Sequence, residues 1–137
     1  MNRKDLQALS RIRAREAKAL LAAGLYDGAY YLAGYAVECA LKACIAKTTH
    51  RHDFPDKERV NRSYTHRLEE LIRIAGLEEP HAALMQSDPA FHANWDVAKS
   101  WSEDSRYRQI EPKNAKALVA AILEGRSGIL AWLRHYW

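Results

Sequence analysis

The sequence predicts an all-α protein, a four- to five-helix up-and-down bundle formed as one domain over residues 1–137. Apolar residues recur at steps of three and four in several segments, which is the spacing of one face of an α-helix. No segment alternates convincingly between apolar and polar residues, as a half-buried strand does. Six glycines and four prolines are few for 137 residues, so little of the chain has the composition of a linker or a disordered tail.

The first helix is predicted over residues 2–23. Gly24 follows it, where a C-cap glycine is expected. Its predicted apolar side consists of five aliphatic residues: Leu6, Leu9, Ile12, Leu20 and Leu21.

The second helix is predicted over Tyr26–Lys47, a run apolar enough and long enough to cross a bilayer. Asp27, Glu38 and Lys42 interrupt this run, and a charge at bilayer depth costs about 2.5 kcal/mol or more. The segment is therefore predicted to be a buried helix of a protein that does not enter a membrane.

Two stripes with different chemistry run along this second helix. The alanines at one set of helical positions would let a neighbouring backbone approach closely: Ala29, Ala33, Ala36, Ala40 and Ala43. We call the other stripe the polar edge: Tyr31, Tyr35, Glu38, Lys42 and Ile45. The polar edge could line a cleft or an interface. It could also be a solvated surface, with a Glu38–Lys42 ion pair worth about 0.2–0.5 kcal/mol.

Breaks in the apolar pattern delimit the following segments. Residues 49–65 have no apolar period and include Pro55, so a long loop is predicted there. A short third helix is predicted over residues 66–75, with Thr65 as its N-cap and Gly76 after its end.

The C-terminal half carries the remaining predicted helices. A brief helical turn lies between Pro80 and Pro89, and residues 90–102 form a further helical segment. A loop then leads to Pro112 at the first position of a final helix. This helix is predicted to reach the C-terminus with a kink where two glycines lie, Gly125 and Gly128.

Charge is distributed unevenly along the chain. Residues 2–23 hold six basic and two acidic side chains, a surplus equal to the +4 of the whole chain. Residues 78–104 hold six acids and the single base Lys99. A basic helix and an acidic segment could bind nucleic acid, recruit a second copy head to tail, or simply be solvated.

The cysteines and histidines indicate no cofactor or metal. Cys39 and Cys44 are five residues apart on one predicted helix, so they point apart, and with no secretion signal they predict a cytoplasmic protein. His50, His52 and Asp53 are too few donors to predict a metal site. The tryptophans are predicted to anchor a core or an interface: Trp95, Trp101, Trp132 and Trp137.

Residues 22–47, AAGLYDGAYYLAGYAVECALKACIAK, resemble the second-helix signature of the HEPN domain. This domain is a small helical module of prokaryotic toxin–antitoxin and nucleotidyltransferase-partner systems. Further similarity follows in order along the chain: the DFPD stretch at 53–56, His66 with Leu68 and Leu71, and the pair Arg106–Tyr107.

The resemblance implies a helical bundle that forms a homodimer. In many members an arginine, four to six residues and a histidine perform metal-independent RNA cleavage, in which the histidine can take the ribose 2′-hydroxyl proton while the arginine holds the phosphate. This chain departs from that pattern, because no histidine follows Arg106 at that spacing. Arg59 and His66 have the spacing but lie in another segment, and about two such pairs are expected by chance.

Three functions remain open from the sequence. The favoured one is a module, acting with a nucleotidyltransferase or within a toxin–antitoxin pair, that binds a nucleotide or an RNA phosphate. Its predicted binding cleft has five lining residues: Tyr35, Glu38, Lys42, Arg106 and Tyr107. The second function is a ribonuclease toxin with Arg106 as catalytic residue and a polar partner other than the usual histidine. The third is a non-catalytic dimerisation module.

Overall fold

The computed structural model describes residues 1–48 and 65–137 of the chain. These residues form α-helices and one 3₁₀ helix, without strands in the described ranges, so the all-α class is confirmed. The seven described α-helices are α1 (Arg3–Ala22), α2 (Tyr26–Lys47), α3 (Leu68–Ile74), α4 (Glu78–Ser87), α5 (Pro89–Ala98), α6 (Pro112–Leu123) and α7 (Ile129–Leu133). The 3₁₀ helix spans Glu103–Tyr107, between α5 and α6.

The helix α1 begins with a reciprocal cap and ends at a glycine. The Asn2 side chain accepts from the Asp5 N–H at 2.9 Å, and the Asp5 carboxylate accepts from the Asn2 N–H at 2.9 Å. Gly24 lies beyond the end with φ +75°, a left-handed conformation that glycine adopts without strain. The predicted ends of α1 are therefore confirmed, although Ile12 of its predicted apolar side is exposed to solvent.

The helix α2 is the interior element, and α1, α3, α6, α7 and the 3₁₀ helix pack against it. All five alanines of its predicted small-residue stripe are buried. The buried residues of α1, the helix that packs against α2, are small as well: Ser10, Ala14 and Ala17. The Ser10 hydroxyl donates to the carbonyl of Ala36 at 2.7 Å, which requires close approach of the two helices. Gly34 provides a second close approach, because a Cβ there would overlap the ring of Trp101.

The α4–α5 region is more helical than the sequence predicts. The turn predicted between two prolines is the ten-residue helix α4, whose first turn accommodates Pro80 since the N–H groups there need no helical partner. Asp88 ends α4 and caps α5, accepting from the N–H groups of Ala90 and Phe91 at 3.0 and 3.1 Å. Pro89 occupies the start of α5.

The predicted final helix is broken rather than kinked. The chain leaves α6 at Glu124, whose backbone is no longer helical (ψ 135°) and whose carboxylate accepts from the N–H groups of Arg126 and Ser127. The chain then enters α7 after Gly128, where a Cβ would meet the Glu124 carbonyl. This break and the longer α4 explain why the count exceeds the predicted four or five.

The third predicted helix is shorter than expected, since α3 begins after Arg67 rather than at His66, and Thr65 accepts from the Arg67 N–H at 3.2 Å without capping the helix. Nearly all of the predicted loop at 49–65 lies outside the described residues. Within the two described ranges, no helix has the length and hydropathy needed to span a membrane.

Candidate functional site

The polar edge of α2 lies beneath the segment that precedes α6. Trp101 packs on Gly34 of α2 before the 3₁₀ helix, and the Ile110 N–H donates to the Asp27 carboxylate of α2 at 2.6 Å after it. Ser105, in the 3₁₀ helix, is fully buried. These contacts hold the predicted Arg-Tyr pair against α2.

Glu38 is the centre of the site and is only 2% exposed. Its carboxylate accepts from the Lys42 Nζ at 3.3 Å and lies 2.8 Å from the His66 Nδ1. A solvated surface pair was one of the two interpretations of Glu38 and Lys42, and the burial of Glu38 excludes it. A buried carboxylate is retained in a fold when cationic or donor groups pair with it, as Lys42 and His66 do here.

His66 lies between two carboxylates. Its Nδ1 faces Glu38, and its Nε2 lies 3.1 Å from the Glu103 Oε2. Because carboxylates only accept hydrogen bonds, an imidazolium ring donates to both, whereas a neutral ring donates to one of them. His66 can therefore lose its contact with one carboxylate and still be held by the other.

Arg106 and Tyr107 are exposed at the outer side of this group. The Arg106 guanidinium stacks 4.8 Å from the centre of the Tyr107 ring. The Tyr107 side chain, and to a smaller extent that of Tyr31, raises the pKa of Arg106, so the guanidinium stays cationic. Glu103 adds a smaller electrostatic attraction.

Tyrosines of the polar edge connect these groups. The rings of Tyr31 and Tyr35 stack at 6.0 Å, and Tyr31 also stacks on Trp101 at 6.2 Å. Burial, followed by the nearby Cys39 and Glu38, raises the pKa of Tyr35, which keeps its hydroxyl neutral. Tyr35 can therefore donate a hydrogen bond to an anion.

The predicted binding residues thus form one continuous group on the described chain. Glu38 and Lys42 connect through His66 to Glu103, which lies on the same 3₁₀ helix as Arg106. Tyr35 stacks on Tyr31, which also interacts with Arg106. We call the charged members the polar cluster: Glu38, Lys42, His66, Glu103 and Arg106. Tyr107 flanks the polar cluster.

Sequence reasoning missed two members of the polar cluster, His66 and Glu103. His66 contributed to the family resemblance, but its place as a ring between two carboxylates requires contacts 28 and 37 residues away. Spacing along the chain indicates nothing about such contacts. No histidine follows Arg106 at the spacing typical of the family, but His66 contacts Glu103 of the same 3₁₀ helix.

Other candidate residues have different surroundings. His50, His52, Asp53 and Arg59 lie outside the described residues. His92 pairs with Asp96 at 3.4 Å on an exposed face of α5. Across residues 1–48 and 65–137, no group of three or more histidine, cysteine or acidic side chains could hold a metal ion.

The tryptophans mostly belong to the core, as predicted. Trp95, Trp101 and Trp132 are buried, whereas Trp137 is partly exposed under the guanidinium of Arg11 at 4.7 Å. Both cysteines are free and buried.

The polar cluster offers cations and donors to an anionic ligand at the surface. Arg106 is exposed, His66 is 39% exposed, and the Lys42 side chain is 23% exposed. Glu38 stays behind these groups and orients two of them. A phosphate could reach Arg106 directly and could reach the His66 Nε2 by replacing Glu103, which is itself partly exposed.

The chain was compared with protein-family models, with curated proteins and with solved structures, and none of the three comparisons produced a match.

Proposed function

We propose that this chain is a HEPN-type helical module that binds the phosphate of a nucleotide or of RNA at the polar cluster. The observation that carries the proposal is the position of His66, with Nδ1 held by the buried Glu38 and Nε2 facing the displaceable Glu103. Arg106 lies on the same 3₁₀ helix as Glu103 and supplies a permanent cation.

The charges of the polar cluster support phosphate rather than a neutral ligand. Three side chains are cationic or can become so: Lys42, His66 and Arg106. Glu38 is too buried to face the ligand, so Glu103 is the one carboxylate of the cluster with substantial exposure. When phosphate takes the place of Glu103, it receives charge-assisted hydrogen bonds that the carboxylate had accepted.

A second candidate is metal-independent RNA cleavage, and the Glu38–His66 contact favours it. A carboxylate 2.8 Å from Nδ1 orients the ring so that Nε2 can accept a proton from a ribose 2′-hydroxyl. Arg106 would then stabilise the charge that builds on the phosphate. This role gives the arginine the histidine partner that its sequence neighbourhood lacks.

The proposal includes partners as well as a ligand. A homodimer, and a nucleotidyltransferase or antitoxin partner, follow from the resemblance to HEPN modules of toxin–antitoxin pairs. In a homodimer, the exposed Arg106 and Tyr107 would be available to a ligand shared by two copies.

The binding proposal is tested by retention of labelled single-stranded RNA and by the melting temperature with added nucleotides. We expect salt-sensitive RNA binding and a nucleotide-dependent rise in melting temperature, both weakened by Arg106→Ala and by Lys42→Ala. Arg108→Ala is the matched control, because Arg108 is an exposed arginine two residues farther along. Equal losses in Arg106→Ala and Arg108→Ala would show general charge attraction and would contradict a site at the polar cluster.

Substitution of Glu103 should strengthen phosphate binding, whereas substitution of Arg106 or Lys42 should weaken it. Glu103→Gln removes the competing charge at the His66 Nε2 and should increase affinity for phosphate ligands. A decrease in affinity would show that Glu103 supports the site instead of occupying it.

Cleavage is tested with the same RNA in the presence of a chelator. Products that disappear in both His66→Gln and Arg106→Ala, and persist in Arg108→Ala, would establish the ribonuclease. If the protein binds RNA and does not cleave it, the binding function is supported. If it neither binds nor cleaves RNA, the dimerisation module is the remaining function.

A further inference from the structure

A groove between α1 and α6 lies on a different part of the fold from the polar cluster. It has a volume of about 760 Å³ and is lined by five basic side chains: Arg11, Arg15, Lys18, Lys116 and Arg134. The three from α1 are spaced four and three residues apart, so they form one face of that helix. Arg13, the other arginine nearby in sequence, instead pairs with Glu16.

The five cations of the groove have no ion-pair partner within the described ranges. By contrast, several cations elsewhere have a carboxylate within 4 Å, including Lys42, Arg73, Lys99 and Lys113. Arg11 and Arg134 are both positioned over the ring of Trp137, at 4.7 and 5.8 Å. The groove is therefore a concentrated positive surface whose charge the described part of the chain leaves unbalanced.

The one acidic residue that lines the groove does not neutralise it. Both carboxylate oxygens of Glu124 accept backbone N–H groups, from Arg126 and Ser127, in the turn that separates α6 from α7. These hydrogen bonds lower the pKa of Glu124 and direct its charge into the turn. A ligand in the groove thus meets five cations and one carboxylate that is already engaged.

Aliphatic side chains form the floor of the groove. Leu21, Leu123 and Ala14 lie between the basic residues, with Val119 and Ala120 of α6 beside them. Leu21 and Leu123 are partly buried, so each still presents apolar surface. From Arg11 to Leu21, α1 rises about 15 Å, which is close to three helical turns.

We propose that this groove binds an acidic amphipathic helix of a partner protein, about three turns long. Its leucine-sized side chains at positions i, i+4 and i+7 would cover the aliphatic floor, and its carboxylates would face the five cations. The charge complementarity selects an acidic partner, and the floor selects a helix that is apolar on one side.

RNA fits this groove less well than such a helix. The lining has no aromatic side chain on which bases could stack, and the Trp137 ring beside it is covered by Arg11. A second copy of the chain also fits poorly. The helix α4 has only two carboxylates, both in its first turn, and its leucine-sized side chains, Leu84 and Met85, pack partly against the core of the same chain.

The test uses the full chain and a labelled helical peptide of about 14 residues. The peptide carries leucines at i, i+4 and i+7 and glutamates beside them. One control peptide has lysine in place of each glutamate, and another has the same composition in scrambled order. We expect the acidic peptide to bind in fluorescence anisotropy and both control peptides to fail.

Charge reversal locates the binding. The double variant Arg15→Glu/Lys116→Glu should weaken peptide binding about tenfold or more. Lys113→Glu should leave it unchanged, because Lys113 is on the same helix α6 but outside the groove. Circular dichroism verifies that each variant folds, and the lysine peptide tests the sign of the charge on the unmodified protein.

Three outcomes would overturn the proposal. Equal binding of the acidic and scrambled peptides would show that an amphipathic helix is not what the protein recognises. Unchanged peptide binding by the folded double variant would show that the peptide does not bind in the groove. Failure of the peptide, together with single-stranded RNA binding that the double variant loses and Arg106→Ala keeps, would assign the groove to RNA. None of these results depends on phosphate binding at the polar cluster.

Discussion

Glu38 is a carboxylate at a buried position of α2, and the other buried positions of this helix are mostly apolar. Removing a carboxylate from water is unfavourable, and Lys42 together with His66 offsets that cost. Both partners keep partial contact with solvent, so neither would be left wholly buried if Glu38 were removed. The stabilisation from the contacts is therefore moderate, and their main effect is to fix two donors in place.

Two substitutions of Glu38 should distinguish the effect of its charge on stability from the effect of its volume. Glu38→Ala should lower the free energy of unfolding by about 1–3 kcal/mol, because it removes two hydrogen-bond partners and leaves space in a buried position. Glu38→Gln keeps the shape and should have a smaller effect. Chemical denaturation measures both, and a neutral Glu38→Ala would contradict a structural role for the carboxylate.

His81 is a second residue whose surroundings predict behaviour. Its ring packs against Trp95 at 4.5 Å and against Phe91 and Trp132, and its buried Nε2 has no hydrogen-bond partner in the described structure. Burial lowers the pKa of His81 below the ordinary 6.5, and Glu69 opposes this shift weakly.

The lowered pKa of His81 should make folding weaker in acid. Below about pH 6.5 the unfolded chain binds a proton at His81 that the folded chain binds only at lower pH, so stability falls through that range. His81→Phe should give a shallower decline between pH 7 and pH 5 in denaturation experiments. His92→Gln, at an exposed histidine, should show the same decline in stability as the wild type. If His81→Phe also declines as steeply as the wild type, His81 is not the cause of the acid sensitivity.

At this scale the sequence predicted burial better than it predicted partners. The alanines of α2 are buried because their spacing is a local property of one helix. The contacts of His66 depend on how α3 and the 3₁₀ helix pack on α2, and residue spacing carries no record of that packing.

At the level of elements, the close packing of α2 depends on residues with little or no side chain. Gly34 lies directly under Trp101, and Ala36 lies where Ser10 of α1 donates to the backbone. These positions let Trp101 and α1 approach the helix axis. The position of the 3₁₀ helix, and hence of Arg106, follows from the first of these contacts.

A methyl group at position 34 should therefore disturb the site as well as the core. Gly34→Ala would overlap the Trp101 ring and should lower stability by about 1–3 kcal/mol, with altered near-ultraviolet circular dichroism. Gly125→Ala is the matched control, because a Cβ there meets open space and should change stability by no more than about 1 kcal/mol. Equal melting temperatures for the two variants would mean that Trp101 adjusts freely.

Element ends were predicted well where local chemistry sets them. Asn2 and Gly24 mark the ends of α1 in both sequence and structure. At Gly125 and Gly128 the sequence predicted a kink rather than a break, because apolar residues continue beyond them at helical spacing. The helix ends there because the Glu124 carboxylate accepts hydrogen bonds from the N–H groups of the following turn.

At the level of the whole molecule, most buried apolar residues of the described ranges form one core. Every α-helix except α4 contributes fully buried residues to it, and Leu84 and Met85 of α4 pack against it. Cys44 belongs to this core, with its Sγ 3.8 Å from the Leu133 carbonyl, and Cys39 is also buried on α2. Burial raises the pKa of each thiol to about 12. Access to either sulfur therefore requires the core to open.

Thiol labelling should report on the opening of this core. At pH 8 both cysteines should react slowly with a disulfide reagent, and both should react at once in denaturant. Labelling rates should rise together with destabilising variants such as Gly34→Ala. Rapid labelling of one cysteine in the native protein would show a local opening near it.

The hydrogen bond between Ile110 and Asp27 connects the first turn of α2 to the segment just after Arg106. Asp27 is eleven residues from Glu38, about 16 Å along the helix. A substitution that removes the Asp27 carboxylate would therefore loosen the backbone that follows the 3₁₀ helix and leave the Glu38–His66 contact intact.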